Sequence, residues 1–310
     1  MSLVAECPGF LEVYSDGSVK RFAPEIAPPS ANSSDSCRSK DVIIDPSKPV
    51  TARLFVPRSH SRSHKLPVLV YFHGGGFCIG STTWLGYHQF LSDFSVASQS
   101  IVLSVDYRLA PEHRLPTAYE DCYSSLEWLH DQAGSEPWLQ QADLSRVFLS
   151  GDSAGGNITH HVAVKAIQNN TRDDLKIKGI IPIHPYFGSE KRTEKENAEE
   201  EGEEVRSNDM FWRLSIPEDS NRDYYGCNFE KTEMCESEWS KFPAIQVHVA
   251  AKDFLKERGE MYAEFMKKKG AREVEMVEAK EERHVFHVLS PQSEATLLLQ
   301  AHMTHFFDTH

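Results

Sequence analysis

A serine flanked by glycines is the first residue of this chain that could do chemistry. Residues 151–157 read Gly-Asp-Ser-Ala-Gly-Gly-Asn, a G-x-S-x-G pattern directly after an apolar run and at the start of a helical pattern. Glycines on both sides permit the sharp strand-to-helix turn that exposes a nucleophilic hydroxyl. The helix that follows directs its first amides at developing negative charge. The spacing therefore predicts Ser153 as a nucleophile, the alternative being a bystander serine in a glycine-rich turn.

A run of three glycines supplies groups that could stabilise an oxyanion. The sequence His-Gly-Gly-Gly-Phe at 73–77 follows the apolar run 66–72. Glycine backbone can approach a ligand closely and present bare N–H groups to it. The predicted oxyanion-hole donors are the amides of Gly74, Gly75, Gly76 and Ala154. His73 is expected to anchor the loop rather than to act as a base.

A serine nucleophile needs a base, and the base needs a carboxylate to orient it. In chains with this kind of turn the order is Ser, then Asp or Glu, then His. Asp253 follows the apolar run 245–251, and His284 follows a weaker strand pattern at 274–277. Both lie beyond strand ends, where the loops of an open parallel sheet converge. We predict that Asp253 is the orienting acid and His284 the base.

Other residues compete for these two roles. His287 is embedded among apolar neighbours, which favours a packed side chain over a base. Glu257 could replace Asp253, but an acid near a helix start is also stabilised by the helix dipole. The remaining candidate bases are His160, His161 and His184, of which the first two fall inside the helix after Ser153 and are expected to pack or to face solvent.

The elements that position these residues alternate along the chain. Short apolar runs are typical of strands buried on both faces, as in a parallel sheet; they lie at 66–72, 101–107, 147–150, 180–184 and 245–251. Helical patterns lie at 87–97, 118–131, 157–168, 260–269 and 294–307. Residues 50–56 alternate like a further strand, and residues 23–40 indicate a loop. The alternation predicts an α/β fold with a mostly parallel, doubly wound sheet.

Composition excludes several classes of protein. The 310 residues carry a net charge of −13, which argues against binding to nucleic acid or to an anionic membrane surface. No run of 18 apolar residues exists and the N-terminus lacks a signal-peptide pattern, so we expect neither a membrane span nor secretion. Six scattered cysteines without a C-x-x-C pair predict reduced thiols, no zinc site and a cytoplasmic protein.

The negative charge is concentrated in one segment. Residues 194–204 contain seven Glu and one Lys, so six of the thirteen net negative charges come from eleven residues. Repulsion between like charges opposes burial. We expect a solvated loop or helix there.

Three motifs together resemble the hormone-sensitive-lipase-like α/β-hydrolases: H-G-G-G-F at 73–77, Y-R-L-A-P-E at 107–112 and G-D-S-A-G-G-N at 151–157. Further stretches resemble the plant carboxylesterase branch of that family; they lie at 12–21, 113–116, 119–121 and 188–196. The resemblance extends over nearly the whole chain. It implies an α/β-hydrolase fold with a mostly parallel sheet flanked by helices.

The resemblance also implies roles and boundaries. Ser153, His284 and Asp253 would be nucleophile, base and orienting acid, and residues 107–112 would support the site from below. Residues 1–310 would form one domain, with 1–50 and part of 188–225 as a small cap. The implied reaction is hydrolysis of a small-molecule carboxylic ester, without metal or cofactor. Candidate pocket residues are Phe77, Ile79, Trp84, Tyr186, Phe187, Phe211 and Trp212.

Two other functions remain open at this point. Related receptors lack the catalytic histidine, whereas this chain keeps His284, and related dehydratases replace the nucleophile by threonine, whereas Ser153 is retained. Lyases or cyclases of specialised metabolism retain most of the triad, so a non-hydrolytic enzyme is the main alternative and a receptor the lesser one. Glu257 and Val285 depart from common family patterns without removing a triad member. The natural substrate and the oligomeric state carry no signature in the sequence.

Overall fold

The structure, a computed structural model, describes residues 2–30, 36–58, 65–170, 174–198 and 202–310. Its strands are β1 (Leu3–Cys7), β2 (Leu11–Tyr14), β3 (Val19–Arg21), β4 (Cys37–Asp45), β5 (Val50–Pro57), β6 (Leu66–Phe72), β7 (Ile101–Asp106), β8 (Ala142–Asp152), β9 (Ile177–Ile183), β10 (Ala244–Ala250) and β11 (Val274–Ala279). Its α-helices are α1 (Leu85–Ala97), α2 (Thr117–Gln132), α3 (Ala154–Gln168), α4 (Glu194–Ala198), α5 (Glu203–Ser215), α6 (Glu236–Trp239), α7 (Lys256–Lys269), α8 (Phe286–Leu289) and α9 (Glu294–Thr309).

An eight-stranded sheet forms the centre of the molecule, in the order β11-β10-β9-β8-β6-β7-β5-β4. The six strands from β11 to β7 pair in parallel, and β5 and β4 continue the sheet antiparallel. Every residue of β6 and β10 is buried, as expected for strands covered on both faces. The predicted mostly parallel α/β fold is confirmed.

Strand β4 corrects the expectation of a loop over residues 23–40 and of a cap that extends to residue 50. Its sequence, CRSKDVIID, is mostly polar, which is compatible with a strand at the sheet edge where six of the nine residues stay partly or fully exposed. Its Asp41 accepts from buried Arg53 of β5 at 2.7 Å. Residues 37–45 therefore belong to the central sheet, and residues 31–35 of the predicted loop lie outside the described residues.

Helices cover both faces of the sheet and close two apolar clusters. On one face α1 and α9 contribute aromatic rings, and Phe307 stacks on Phe148 of β8 at 3.9 Å between ring centroids. On the other face α2, α3 and α7 contribute buried side chains such as Leu126, Ile158 and Tyr262. Burial of this apolar area supplies the main stabilising term for the sheet. Among the described helices, none is both long enough and apolar enough to cross a membrane.

A second, three-stranded sheet of β1, β2 and β3 lies against α5. Buried Leu11 and Val13 of this sheet share an apolar cluster with Leu214 of α5. Arg21, at the end of β3, donates to the carbonyls of Cys78 at 2.6 Å and Ala110 at 2.8 Å. The small sheet is thereby fixed to the loop that follows β6.

Candidate active site

The turn between β8 and α3 holds Ser153 in an unusual backbone conformation. Ser153 has φ 53° and ψ −117°, a region that residues with a side chain seldom occupy. A Cβ at Gly151 or at Gly155 would overlap the carbonyl oxygen of Phe72 on neighbouring β6, so only glycine fits at either position. The Ser153 side chain caps no amide of α3. The geometry is that of a nucleophile elbow.

Asp253 and His284 form a hydrogen-bonded pair at the ends of β10 and β11. His284 Nδ1 lies 2.8 Å from Asp253 Oδ2, and Asp253 Oδ1 accepts the Leu255 amide at 2.9 Å. The Asp253 side chain is 1% exposed, whereas that of His284 is 35% exposed. The buried carboxylate can therefore orient an imidazole that itself stays partly exposed.

The pair shifts the pKa of both members in opposite directions. Burial alone would raise the pKa of Asp253, but the charge and hydrogen bond of His284 lower it below its ordinary value. Burial alone would lower the pKa of His284, but Asp253 raises it, with smaller contributions from Asp152 and Glu204. Each group therefore favours the charged form of the other.

The competing candidates have other partners. His287 is buried, its Nε2 lies 3.3 Å from Tyr71 Oη, and its ring packs edge-on against Phe90. Glu257 accepts the Lys195 amide at 3.1 Å. His160 and His161 are buried within the core side of α3. The structure thus pairs Asp253 with His284 and with none of the other predicted candidates.

One short segment touches both the elbow and the histidine loop. The Ser153 amide donates to the Ile183 carbonyl and the Ser153 carbonyl accepts the Tyr186 amide, both at 2.9 Å. Between them, His184 accepts the Val285 amide on Nδ1 at 3.0 Å. The end of β9 therefore lies between the serine and the loop that carries His284.

The glycine loop after β6 differs from expectation at its first member. The Gly74 amide donates to Tyr87 Oη at 2.9 Å and to Asp152 Oδ1 at 3.2 Å, so it is occupied and cannot serve as an oxyanion donor. Gly75 and Gly76 adopt φ 105° and 57°, conformations that favour glycine. The predicted set of amide donors therefore contracts to Gly75, Gly76 and Ala154.

A buried carboxylate holds this loop against the elbow. Asp152 accepts hydrogen bonds from Tyr71 Oη at 2.8 Å and from Tyr87 Oη at 2.9 Å, besides the Gly74 amide. Burial raises the pKa of Asp152, although both tyrosine hydroxyls oppose this. The residue before Ser153 thus ties the glycine loop to the serine turn. The sequence signal for this residue is its position between Gly151 and Ser153 in the G-x-S-x-G pattern.

His73 anchors the same loop, as expected from the sequence. Its ring stacks on Tyr107 with centroids 4.4 Å apart, and Tyr107 Oη donates to the His73 carbonyl at 2.8 Å. Arg108, next in the Y-R-L-A-P-E motif, forms an ion pair with buried Asp121 of α2 at 2.7 Å. Tyr107 therefore supports the start of the glycine loop, and Arg108 ties the same motif to α2.

The acidic run at 194–204 is not simply solvated, contrary to expectation. Glu196 of α4 is 2% exposed, and Arg258 of α7 binds its two carboxylate oxygens at 2.8 and 2.7 Å. Arg258 also donates to a hydroxyl and a carbonyl of the segment before α4. Residues 199–201 of the run lie outside the described residues. Burial is tolerated because the guanidinium compensates the carboxylate.

Helix α4 also contacts the loop that carries the acid of the pair. Lys195 Nζ donates to the Asp253 carbonyl at 3.0 Å, and the Lys195 amide donates to Glu257. Helix α5 contacts the glycine loop after β6 instead, because Ser215 Oγ donates to the Gly76 carbonyl at 3.0 Å. These two helices, from one stretch of sequence, therefore hold two different parts of the site.

The predicted pocket residues divide into two groups. Phe77, Tyr186 and Trp212 pack on one another, with Tyr186 and Trp212 stacked 4.2 Å apart, and Phe187 stacks on Tyr262. These four are at most 5% exposed and belong to the packed core. The three that stay partly exposed are Ile79, Trp84 and Phe211. Two surface cavities, of about 520 and 460 Å³, are lined by residues 218–224 and by residues near Trp138, not by the site.

Three side chains of the site offer ligand atoms of the kind that bind metals. Nitrogen or oxygen atoms of His184, Asp253 and His284 lie within 4.8 Å of one another. Two of these groups are already hydrogen-bonded to each other, and the third accepts the Val285 amide. A metal ion held there would break the Asp253–His284 hydrogen bond.

Comparisons with known proteins agree with this geometry. The family described as alpha/beta hydrolase fold matches residues 69–288. The chain is 39% identical over 291 residues to "Probable carboxylesterase 2" of Arabidopsis thaliana, covering 93% of this chain and 91% of that protein. It is 36% identical to "Tuliposide A-converting enzyme 1, chloroplastic" of Tulipa gesneriana, covering 98% and 78%. A solved esterase from Pyrobaculum calidifontis has 29% identity and a TM-score of 0.73, covering 88% and 85%.

Proposed function

Because the chain belongs to the α/β-hydrolase family, within the branch of the plant carboxylesterases, we propose that it is a serine carboxylesterase whose triad is Ser153, His284 and Asp253. The observation that carries this assignment is the 2.8 Å hydrogen bond between His284 Nδ1 and Asp253 Oδ2, formed beside the strained Ser153 turn. A buried acid, an oriented imidazole and an elbow serine are the three parts of acyl transfer through a covalent intermediate.

The reaction proceeds in two halves. Ser153 Oγ attacks the ester carbonyl carbon while His284 Nε2 takes the hydroxyl proton. The resulting oxyanion accepts hydrogen bonds from the amides of Gly75, Gly76 and Ala154. The tetrahedral intermediate then collapses and its bond to the alcohol oxygen breaks. The alcohol leaves with the proton that His284 had taken. Water then attacks the acyl-enzyme with His284 again as base, and Ser153 recovers its proton as the acid departs. Among the described residues no hydrogen bond joins Ser153 to His284, and proton transfer requires the two groups to be within hydrogen-bond reach in the complex with substrate.

The proposed substrate class follows from apolar side chains near the oxyanion loop. Ile79 and Phe211 are partly exposed and lie next to Gly75 and Gly76. Trp84, also partly exposed, lies beside Tyr87, whose hydroxyl accepts the Gly74 amide. Apolar walls favour the alkyl or aromatic parts of an ester over charged ones. The proposed substrates are therefore hydrophobic esters of small or medium carboxylic acids.

The test is ester hydrolysis by the purified chain with two variants. Wild type should hydrolyse p-nitrophenyl esters and react with a fluorophosphonate probe, and Ser153→Ala should lose both, with kcat reduced by at least about 10³-fold. Ser124→Ala, on the half-buried side of α2, is the matched control and should remain active. An inactive, unlabelled wild type or an active Ser153→Ala would overturn the assignment.

A second candidate function is a conversion other than hydrolysis on the same site. The observation in its favour is the 36% identity to a protein named for converting tuliposide A. A lyase or cyclase that uses only the base would keep its activity in Ser153→Ala and lose it in His284→Ala. A receptor would bind a small molecule tightly in both variants without turnover. One substrate tested with both variants separates the three functions.

Organisation and location complete the proposal. Residues 1–310 form one domain, and β1 to β3 with part of 188–225 form its cap.

All six cysteines are free thiols, which supports a reducing compartment, and we place the protein in the cytoplasm without a nucleic-acid partner. A fluorescent fusion of the full chain tests the location, with plastids as the outcome that would contradict it.

A further inference from the structure

The segment at the end of β9 is built around a histidine that the proposed mechanism does not use. His184 has φ 47°, a conformation uncommon for a residue with a side chain, and its amide donates to the His248 carbonyl at 2.8 Å. The side chain is 2% exposed. The residue before it, Ile183, accepts the Ser153 amide. A buried polar ring on strained backbone at such a position indicates a structural or functional role.

The ring of His184 has one defined contact and one unused nitrogen. Its Nδ1 accepts the Val285 amide at 3.0 Å, so the ring proton resides on Nε2. Among the described residues that buried Nε2 has no hydrogen-bond partner. Burial lowers the pKa of His184 to about 4, which keeps the ring neutral. A neutral acceptor at Nδ1 is the form needed to hold a backbone N–H.

The amide that His184 holds belongs to the residue directly after the catalytic base. Val285 has φ 49°, again in the left-handed region, so the peptide that leaves His284 is turned sharply. The His284 ring lies 5.8 Å from the His184 ring, centroid to centroid. Fixing the Val285 amide therefore fixes the backbone from which the His284 imidazole projects.

The backbone of the same segment fixes the serine. Ile183 and Tyr186 exchange hydrogen bonds of 2.9 Å with the amide and carbonyl of Ser153. A Cβ at Gly156 would lie 3.0 Å from the Pro185 α-carbon, so the first turn of α3 is seated closely on this segment. Residues 183–186 are thus one rigid spacer between the nucleophile and the histidine loop.

We propose that His184 is a positioning residue that sets the distance and angle between Ser153 and the His284 imidazole by holding the Val285 amide. The inference rests on the proposed function and adds a group that touches neither substrate nor reacting atoms. Asp253 fixes one edge of the imidazole, and His184 fixes the backbone behind it. Misplacement of a catalytic group by about 1 Å can cost about 10²-fold in rate.

Two substitutions separate the hydrogen bond from the bulk of the ring. His184→Leu fills much of the volume but accepts no hydrogen bond, whereas the Asn oxygen in His184→Asn can occupy the place of Nδ1. We expect kcat to fall about 10–100-fold in the Leu variant, with KM within about twofold, and the Asn variant to recover most of the loss. Inactivation by a fluorophosphonate should slow in parallel with kcat.

The control is another buried histidine with ordinary structural bonds. His160 lies 3.1 Å from Tyr262 Oη and 3.0 Å from Thr232 Oγ1, and within the described part of the chain no hydrogen bond joins it to the histidine loop. His160→Leu should lower the melting temperature without the selective loss of kcat. Thermal melting of every variant shows whether it is folded, and the Asn variant carries the test if the Leu variant is unfolded.

The same variants distinguish an error in the role of His184 from an error in the proposed esterase function. Wild-type activity lost in Ser153→Ala, combined with normal kcat in folded His184→Leu, would overturn the role of His184 alone. A loss of kcat that His184→Asn does not recover, or that His160→Leu reproduces, would reduce His184 to a packing residue. An active Ser153→Ala would overturn the proposed function itself.

Discussion

The ring of Phe211 on α5 lies directly against Gly76 of the oxyanion loop. A methyl group on the Gly76 α-carbon would lie 2.6 Å from Phe211 Cδ1, closer than carbon atoms can approach. The helix and the loop are therefore in contact where the loop presents its amides. Packing of this kind fixes the donors before the substrate arrives, which is the condition for strong oxyanion stabilisation.

Gly76→Ala should therefore damage catalysis more than binding. The new methyl must displace either Phe211 or the loop, and the φ of 57° adds strain for alanine. Loss of one aligned oxyanion donor costs about 10²–10³-fold in kcat. Steady-state kinetics on a p-nitrophenyl ester measures it. Gly134→Ala, where a methyl meets nothing within 4 Å, is the control, and equal kcat in both variants would contradict the prediction.

Asp253→Asn should lower kcat by about 10³–10⁴-fold. The amide keeps the shape of the carboxylate but no longer stabilises the imidazolium or fixes its tautomer. Glu257→Gln is the matched control, because that carboxylate accepts the Lys195 amide instead of pairing with His284. If Glu257→Gln lost more activity than Asp253→Asn, the acid would have been assigned to the wrong residue.

The pH dependence should reflect the raised pKa of His284. Only the neutral imidazole can take a proton, so activity should fall as pH decreases through a midpoint above the ordinary value of 6.5. The same shift favours the protonated folded state, so its contribution to stability is present below pH 6.5 and is lost as pH rises through the folded pKa. Rate profiles of kcat/KM against pH locate this midpoint.

Glu204→Gln provides the internal check on that profile. Glu204 contributes to the raised pKa of His284, so removing its charge should move the acidic limb to lower pH. Glu203→Gln, at a neighbouring position of α5 that is also exposed, removes the same charge and should shift the limb less. A midpoint at or below pH 6.5 in wild type would contradict the assignment of the base.

The buried pair of Glu196 and Arg258 should contribute strongly to the stability of the fold. Glu196→Gln leaves the guanidinium without its charge partner, and breaking a buried pair costs about 3–5 kcal/mol. Urea denaturation measures the change in the free energy of unfolding. The exposed pair of Lys267 and Glu264 is the control, and its removal should cost about 0–1 kcal/mol. Equal losses in the two pairs would show that burial does not matter here.

Sequence reasoning worked best where one local cause dictates the structure. The strands at 66–72 and 245–251 were predictable because burial on both faces leaves a continuous apolar run. The turn at Ser153 was predictable because glycine alone fits at Gly151 and Gly155.

The errors arose where a distant partner decides the outcome. Strand β4 has only three buried residues among its nine, so its sequence lacks the continuous apolar run of an inner strand and its first residues resemble a loop. Glu196 is buried because of Arg258, which lies 62 residues away in sequence. The Gly74 amide is occupied by Tyr87 of α1, and nothing in the glycine run itself indicates that contact. Such pairings depend on the tertiary fold and produce no periodic pattern in the sequence.

Helices α4 and α5 link one stretch of sequence to the geometry of two loops of the proposed site. Lys195 of α4 holds the Asp253 loop, and Ser215 of α5 holds the Gly76 loop. Exchanging the stretch that contains both helices for that of a relative would alter the pocket wall and the two catalytic loops at once. Such an exchange should therefore change the substrate range and the turnover number together. New specificities should arise more readily from single changes at Ile79 or Trp84 than from replacement of the whole stretch.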